Sequence, residues 1–301
     1  MNFSENDKLN IIFSALFEPY RERVPNVSKI TDAMISKGII ASESKIVNDH
    51  VAFRTLGVPH LGIASFEKIF LHYGFTKMEH YYFEGKKIDA FWYAPPHPSY
   101  PRIFVSELRV GDLSQEAQEI IKFYTKDIKS DPVDSIDLDN AEAVGAFFHQ
   151  PLWELPTFAH YNTLALESEY AAWVIYNRYY LNHYTISVHE LDAPYNKLEN
   201  FNDFLASIEV KLNDSGGVIK TSGDGLLRQS SSVAEMVKAK FADGIETMIP
   251  GSYVEFAERS ILPQFTSLEK HKITREHRRE GFETSNADKI FESTFKSQTS
   301  K

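Results

Sequence analysis

The sequence predicts an α+β fold made of two βαβββ modules closing on a shared cavity. Three observations carry that expectation. A strand–helix–strand–strand–strand order is legible between Lys45 and Val110, the same order recurs between Asn182 and Arg259, and the opening strand of each copy bears a histidine, His50 and His183. The duplication lies in the architecture; no sequence repeat is visible.

The elements follow in order. Ser4, with Asp7 three residues on, precedes an apolar stripe of Leu9, Ile12, Leu16 and Phe17, which predicts a capped helix from about Glu5 to Arg23. A second stripe, Val27, Ile30, Met34 and Ile35, stops at Gly38, a residue suited to the left-handed turn that ends helices. KIVNDHVAFRTL then changes to β-branched and aromatic residues and reads as a strand. A short helix carrying Phe66, Ile69 and Phe70 ends at Gly74 and leads to three strand-like runs, FTKMEHYYFE, KIDAFWYAP and RIFVSELRV. In the second copy NHYTISVHEL is the first strand and LENFNDFLASI the helix; GGVIKT, GLLRQSS with SVAEMVKAKFA, and SYVEFAER supply the remaining strands. The expected organisation is therefore N-terminal helices at 1–40, a first module at 41–112, a helical insertion at 113–180, a second module at 181–260 and a C-terminal segment at 261–301, with the modules forming one structural domain.

Composition narrows the chemistry. Forty-two acidic against 32 basic residues give a net charge of −10, which argues against nucleic acid as a partner because phosphate binding needs clustered Lys and Arg. With no cysteine, disulfides, iron–sulfur clusters and thiol nucleophiles are excluded, and any metal must be held by nitrogen and oxygen. MNFSENDKLN has neither the basic start nor the apolar run of a signal peptide, and no stretch approaches the ~18 apolar residues of a membrane span. These features give the expectation of a cytoplasmic protein without a membrane partner. No G-x-G-x-x-G and no P-loop is present, so no organic cofactor is expected.

Alternate residues of a strand share a face. His50, Ala52 and Arg54 therefore point one way in the first copy; in the second, His183, Thr185 and Ser187 share a face, as do Tyr253, Glu255, Ala257 and Arg259. His50, His183 and Glu255 fall at matching corners. Two imidazoles and one carboxylate form the facial triad that suits Fe(II) and leaves positions open for a chelating substrate and O2. Arg54 is placed to grip a substrate carboxylate through its planar fork. Gln229, Ser230 and Ser231 form a polar run after an apolar Gly225-Leu226-Leu227 and are candidate substrate contacts. Glu107, on the last strand of the first copy, stands as a possible fourth ligand or a supporting group. Of the other histidines, His160 reads as a helix residue with a structural bond, and His189 lies too far along the strand of His183 to share its metal.

NDHVAFRTL, PRIFVSEL, NHYTISVH, SGGVIKTSGDGLLRQSS, IPGSYVEFAER and RREGFETSNADKIFEST together resemble the DUF1338 family of 2-oxoadipate dioxygenase/decarboxylases, from about residue 45 to 295. The resemblance implies a vicinal-oxygen-chelate-like fold and Fe(II) held by His50, His183 and Glu255, with Arg54 on the distal carboxylate. It also implies conversion of 2-oxoadipate and O2 to 2-hydroxyglutarate and CO2, late in lysine catabolism. Where that family continues its second histidine with Thr-Pro-Arg, this chain has Ile186 and Ser187 after NHYT, and Arg228 stands where an apolar residue is expected. Two other readings remain at this stage: a glyoxalase-like isomerase, lyase or hydrolase using another divalent metal with Glu107 as a ligand, and a non-catalytic small-molecule-binding module. The oligomeric state is not legible.

Overall fold

A computed structural model describes residues 7–301. The expected cap Ser4 and start Glu5 of the first helix lie outside these residues; Asp7 caps α1 (Lys8–Arg23) by accepting from the Leu9 amide. Proline opens α2 (Pro25–Ser36), which ends ahead of Gly38 in the left-handed region at φ 69°.

The first module runs β1 (Asn48–Leu56), α3 (Ile63–His72), β2 (Thr76–Phe83), β3 (Ile88–Ala94) and β4 (Arg102–Leu108). Four helices follow, α4 (Gln115–Thr125), α5 (Ala141–Phe147), α6 (Phe158–Glu167) and α7 (Glu169–Asn177). The second module comprises β5 (His183–Ser187), α8 (Leu198–Ser207), β6 (Lys220–Thr221), β7 (Leu227–Ser231), a hairpin of β8 (Met236–Lys240) and β9 (Glu246–Pro250), and β10 (Tyr253–Arg259). The chain closes with α9 (Thr284–Phe291) and α10 (Lys296–Thr299).

One eight-stranded sheet, ordered β2-β3-β4-β1-β5-β10-β7-β6, holds both modules. Each half is built alike: the first strand pairs in parallel with the last, and the rest pair antiparallel outward. The halves join where β1 meets β5 antiparallel, with Ala52 opposite His183. This seam brings the two first strands side by side, so their side chains converge although His50 and His183 are 133 positions apart in the chain.

One sequence expectation fails here. SVAEMVKAKFA does not join the sheet; β8 pairs only with β9 in a separate hairpin. Ala239 and Ile249 are the buried members of the two strands, and the charged Lys238, Lys240 and Glu246 face water, so the hairpin needs only one covered side.

β1 sorts its residues between two environments. Phe53 packs into an aromatic cluster with Phe66 of α3 and Phe148, at ring separations of 4.9 and 5.3 Å. His50 and Arg54 face instead toward the C-terminal segment, where His50 meets the edge of Phe282 and Arg54 bonds to Thr294. The apolar face anchors the strand, and its other face is left for chemistry.

Candidate metal centre

His50, His183 and Glu255, on β1, β5 and β10, present ligand atoms that all lie within 4.8 Å of one another. Glu255 Oε2 is 3.1 Å from His183 Nε2 and 3.6 Å from His50 Nε2, and all three side chains are buried. The parallel pairing of β10 on β5 sets Glu255 beside Thr185, one step along the face from His183.

Both imidazoles are aimed by the residue before them. His50 Nδ1 lies 2.9 Å from Asp49 Oδ1, and His183 Nδ1 lies 2.9 Å from Asn182 Oδ1. The β1–β5 ladder shifts register between Asn48 and Val51, beside this point. Asp49 also accepts from Arg259 Nε at 2.7 Å and Nη2 at 2.9 Å, and from Arg102 at 3.2 Å. An acceptor so engaged obliges His50 Nδ1 to donate, which turns the Nε2 lone pair toward the centre, the arrangement metal-binding histidines need.

The donor set fits a divalent cation. Two nitrogen lone pairs and a carboxylate oxygen point at one place, and the donors near them are the Thr185 hydroxyl, 3.1 Å from His50 Nε2, and the Gln229 amide, 2.6 Å from Glu255 Oε1. Burial pushes His183 down to about 4, with Glu255 opposing, so it stays neutral and able to ligate. Burial pushes Glu255 up, but His50 and His183 outweigh it and hold the carboxyl down at about 2. Burial pushes His50 down, but Glu255 and Asp49 outweigh it and raise it above its ordinary value, so a cation taking its Nε2 competes with a proton there.

Glu107 stands apart from the triad, and the register explains why. Glu255 stands opposite Thr185, two residues past His183; the matching position in the first module, opposite Ala52, is Phe104. Glu107 lies three residues further, so its counterpart is Glu258. Both cap helices: Glu107 Oε2 accepts from the Ile63 amide at 2.7 Å at the start of α3, and Glu258 Oε2 accepts from the Leu198 amide at 3.0 Å at the start of α8. Gly62 is required beside it: its φ is 92°, and a Cβ there would meet Glu107 Oε2 at 1.9 Å. Glu107→Ala is therefore expected to cost about 1 kcal/mol of stability, as loss of a cap does, and to leave metal content unchanged. Denaturant unfolding beside elemental analysis checks this, and loss of metal would restore Glu107 to the ligand set.

Arg54 is buried, with Nη1 2.8 Å from Thr294 Oγ1 and Nη2 3.0 Å from the Phe291 carbonyl. Its Nε has no partner, and no carboxylate lies within 4 Å among the described residues. The guanidinium rests among Tyr170, Trp173 and Phe291. The Gln229–Ser231 run divides, as strand alternation demands. Gln229 meets Glu255 and is fixed by Asn286 at 3.0 Å; Ser231 bonds Ser293 at 2.8 Å. Ser230 points to the other face and donates to Asn202 of α8, which removes it from the candidate substrate contacts. Arg228 shares that outer face and pairs with Glu199 and Glu258, so a cation there is accommodated outside the cavity.

His160 bonds the Tyr124 hydroxyl at 2.7 Å on α6. His189 ends the strand in a single turn of helix, its Nδ1 3.2 Å from the Ala257 carbonyl, and burial pushes it down to about 3. A group held neutral when folded but free to protonate when unfolded makes the unfolded state bind more protons. Stability from His189 is therefore lost as pH falls from about 6.5 toward 3, by about 1.4 kcal/mol per pH unit at most. His189→Asn is expected to flatten the dependence of the urea midpoint between pH 6.5 and 4; an unchanged slope would refute the assignment.

Sequence reading missed Asp49, Asn182, Asn286 and the α9 cover. The small cavity before the triad, about 20 Å³, is bounded by Phe104 and by Ala287, Ile290 and Phe291 of α9. The only available signal was the polar residue directly preceding each histidine.

Paired βαβββ modules with a buried two-histidine, one-glutamate cluster near their seam define a vicinal-oxygen-chelate-type protein with a candidate mononuclear metal centre. The sequence matches the 2-oxoadipate dioxygenase/decarboxylase family over residues 12–270, and the chain belongs to that family. It is 42% identical over 293 residues to the chloroplastic 2-oxoadipate dioxygenase/decarboxylase of Arabidopsis thaliana, covering 94% of this chain and 76% of that protein. Among solved structures, hydroxyglutarate synthase from Oryza sativa in complex with 2-oxoadipate matches with a TM-score of 0.87 at 40% identity, covering 96% of this chain and 93% of that one. A glyoxalase-superfamily protein from Ralstonia eutropha JMP134 shares the fold, with a TM-score of 0.72 at 21% identity over 94% of this chain and 89% of that one. The curated relatives are named as chloroplastic or chloroplastic/amyloplastic proteins, which overturns the cytoplasmic expectation. That expectation tested for an apolar signal, and transit peptides are amphipathic and rich in Arg and Ser.

Proposed function

We propose that this enzyme catalyses the oxidative decarboxylation of 2-oxoadipate, late in lysine catabolism, with Fe(II) held by His50, His183 and Glu255. Atoms balance: 2-oxoadipate and O2 give 2-hydroxyglutarate and CO2. When bound, iron supplies a chelation point for the 2-oxo acid and the electrons that activate O2. The chain's own residues bind and orient. Asp49 and Asn182 hold the imidazoles, and Gln229, braced by Asn286, holds Glu255. Phe104, Ile290 and Phe291 keep water from the reacting end.

The observation that carries the substrate reading is Arg54, a buried cation with no carboxylate within 4 Å among the described residues. Such a group is costly unless a ligand carboxylate completes it. Thr294 and the Phe291 carbonyl take two of its donors, and the distal carboxylate of the substrate replaces them as the C-terminal segment shifts to admit it. A four-ligand isomerase site is not favoured, since Phe104 stands at the fourth corner.

Anaerobic loading with Fe(II), followed by admission of O2 and 2-oxoadipate, is expected to consume one O2 per CO2 released and to form 2-hydroxyglutarate. Absence of turnover on 2-oxoadipate and its shorter homologues would overturn the proposal.

A further inference from the structure

A second cavity, about 390 Å³ in volume, opens where the C-terminal ends of α1 and α7 meet β8, and none of its lining residues borders the metal cavity. Arg23, Arg178 and Lys238 line it, and no Asp or Glu does. Lys238 is engaged by Glu246 at 2.6 Å, but neither arginine has a carboxylate within 4 Å among the described residues. Arg23 donates through Nη2 to Asn177 Oδ1 and lies 4.1 Å over the Tyr180 ring. Arg178 donates through Nε and Nη2 to the Trp153 carbonyl, which fixes its fork and leaves Nη1 without an acceptor among the described residues.

Two further features point to a ligand. The Tyr180 hydroxyl is buried with Arg23 beside it and no acceptor among the described residues, although the residue lines the cavity and is only 8% exposed. Arg178 adopts φ 58° and ψ −133°, a conformation that costs an ordinary side chain about 1–3 kcal/mol and persists where the surroundings impose it. A cation at the end of a helix satisfies the helix dipole. That accounts for a charge at each place, but not for two guanidinium groups without a carboxylate partner and a buried hydroxyl without an acceptor around one cavity of ligand size.

We propose that this cavity binds a small organic anion, a carboxylate or phosphate group on a body of a few carbons. The two arginines and Tyr180 hold the charged group, and Phe148, Leu155 and Val237 cover its carbon body. The site is separate from the one that takes the 2-oxo acid.

Calorimetric titration of the iron-loaded protein, anaerobic and saturated with 2-oxoadipate, tests this with succinate in one arm and inorganic phosphate in the other. One equivalent of at least one anion is expected to bind with Kd below about 1 mM, the tighter arm telling whether a free acid or a phosphate ester is the natural class. Arg23→Gln combined with Arg178→Gln is expected to weaken that binding by about tenfold or more, with circular dichroism and iron content unchanged. Should the double variant fail to fold, Arg23→Gln alone, half-buried and making a single hydrogen bond, is expected to weaken it at least about threefold. No saturable binding of either anion to the unmodified protein, binding abolished by 2-oxoadipate, or undiminished binding by a folded variant would overturn the proposal.

Discussion

Glu255→Gln is expected to release the metal and to lower turnover with 2-oxoadipate by more than about 100-fold, the upper end of what losing a group behind a ligand costs. The substitution is nearly isosteric, and Gln229 remains as a neighbour, so the fold survives. What disappears is the carboxylate facing the Nε2 atoms of both imidazoles, a group those imidazoles hold down at about 2 against the upward push of burial. Without it, a divalent cation in a buried site keeps its desolvation cost and loses its counter-charge. Iron content after desalting, measured beside the rate, checks the result. A variant that retains a full equivalent of metal would remove Glu255 from the ligand set.

Arg54→Met is expected to reduce kcat/KM for 2-oxoadipate by about 100-fold, since a charge-assisted hydrogen bond to a carboxylate contributes roughly 1.5–3 kcal/mol. The same variant is expected to lose little on a monocarboxylic 2-oxo acid of equal length, which offers no distal charge. Stability separates this role from a structural one. Burial already pushes Arg54 down from its ordinary value, and Phe291 and Thr294 supply only neutral acceptors, so replacing an uncompensated buried cation with an apolar chain should leave thermal stability equal or higher. Equal loss on both classes of substrate, or a collapsed melting temperature, would show that Arg54 supports the fold instead.

The triad was legible because strand alternation is a short-range rule. His50 and Arg54, four residues apart, must share a face, and so must Tyr253 and Glu255. The place of Glu107 was not legible because its correspondence to Glu255 depends on register between strands distant in sequence, which sequence alone does not print. An offset of three residues turned a helix cap into an apparent ligand. Ser230 failed for the opposite reason, since the alternation that sorted the histidines was not applied to a polar run. The β8–β9 hairpin was read as sheet because its composition is strand-like, and composition does not say which edge a strand joins. The α9 cover needed long-range packing of Phe291 and Ile290 against the triad, for which no local pattern exists.

The seam between β1 and β5 has a consequence for how the protein comes apart. Donors at positions 50, 183 and 255 belong to strands that the chain reaches only after 133 and a further 72 residues, so a cation bound to all three closes two long loops at a single point. It acts as a reversible cross-link between the halves of the sheet, and each decade of free metal above its dissociation constant adds about 1.4 kcal/mol against unfolding. The two modules thereby become one cooperative unit whose melting reports metal occupancy as much as packing.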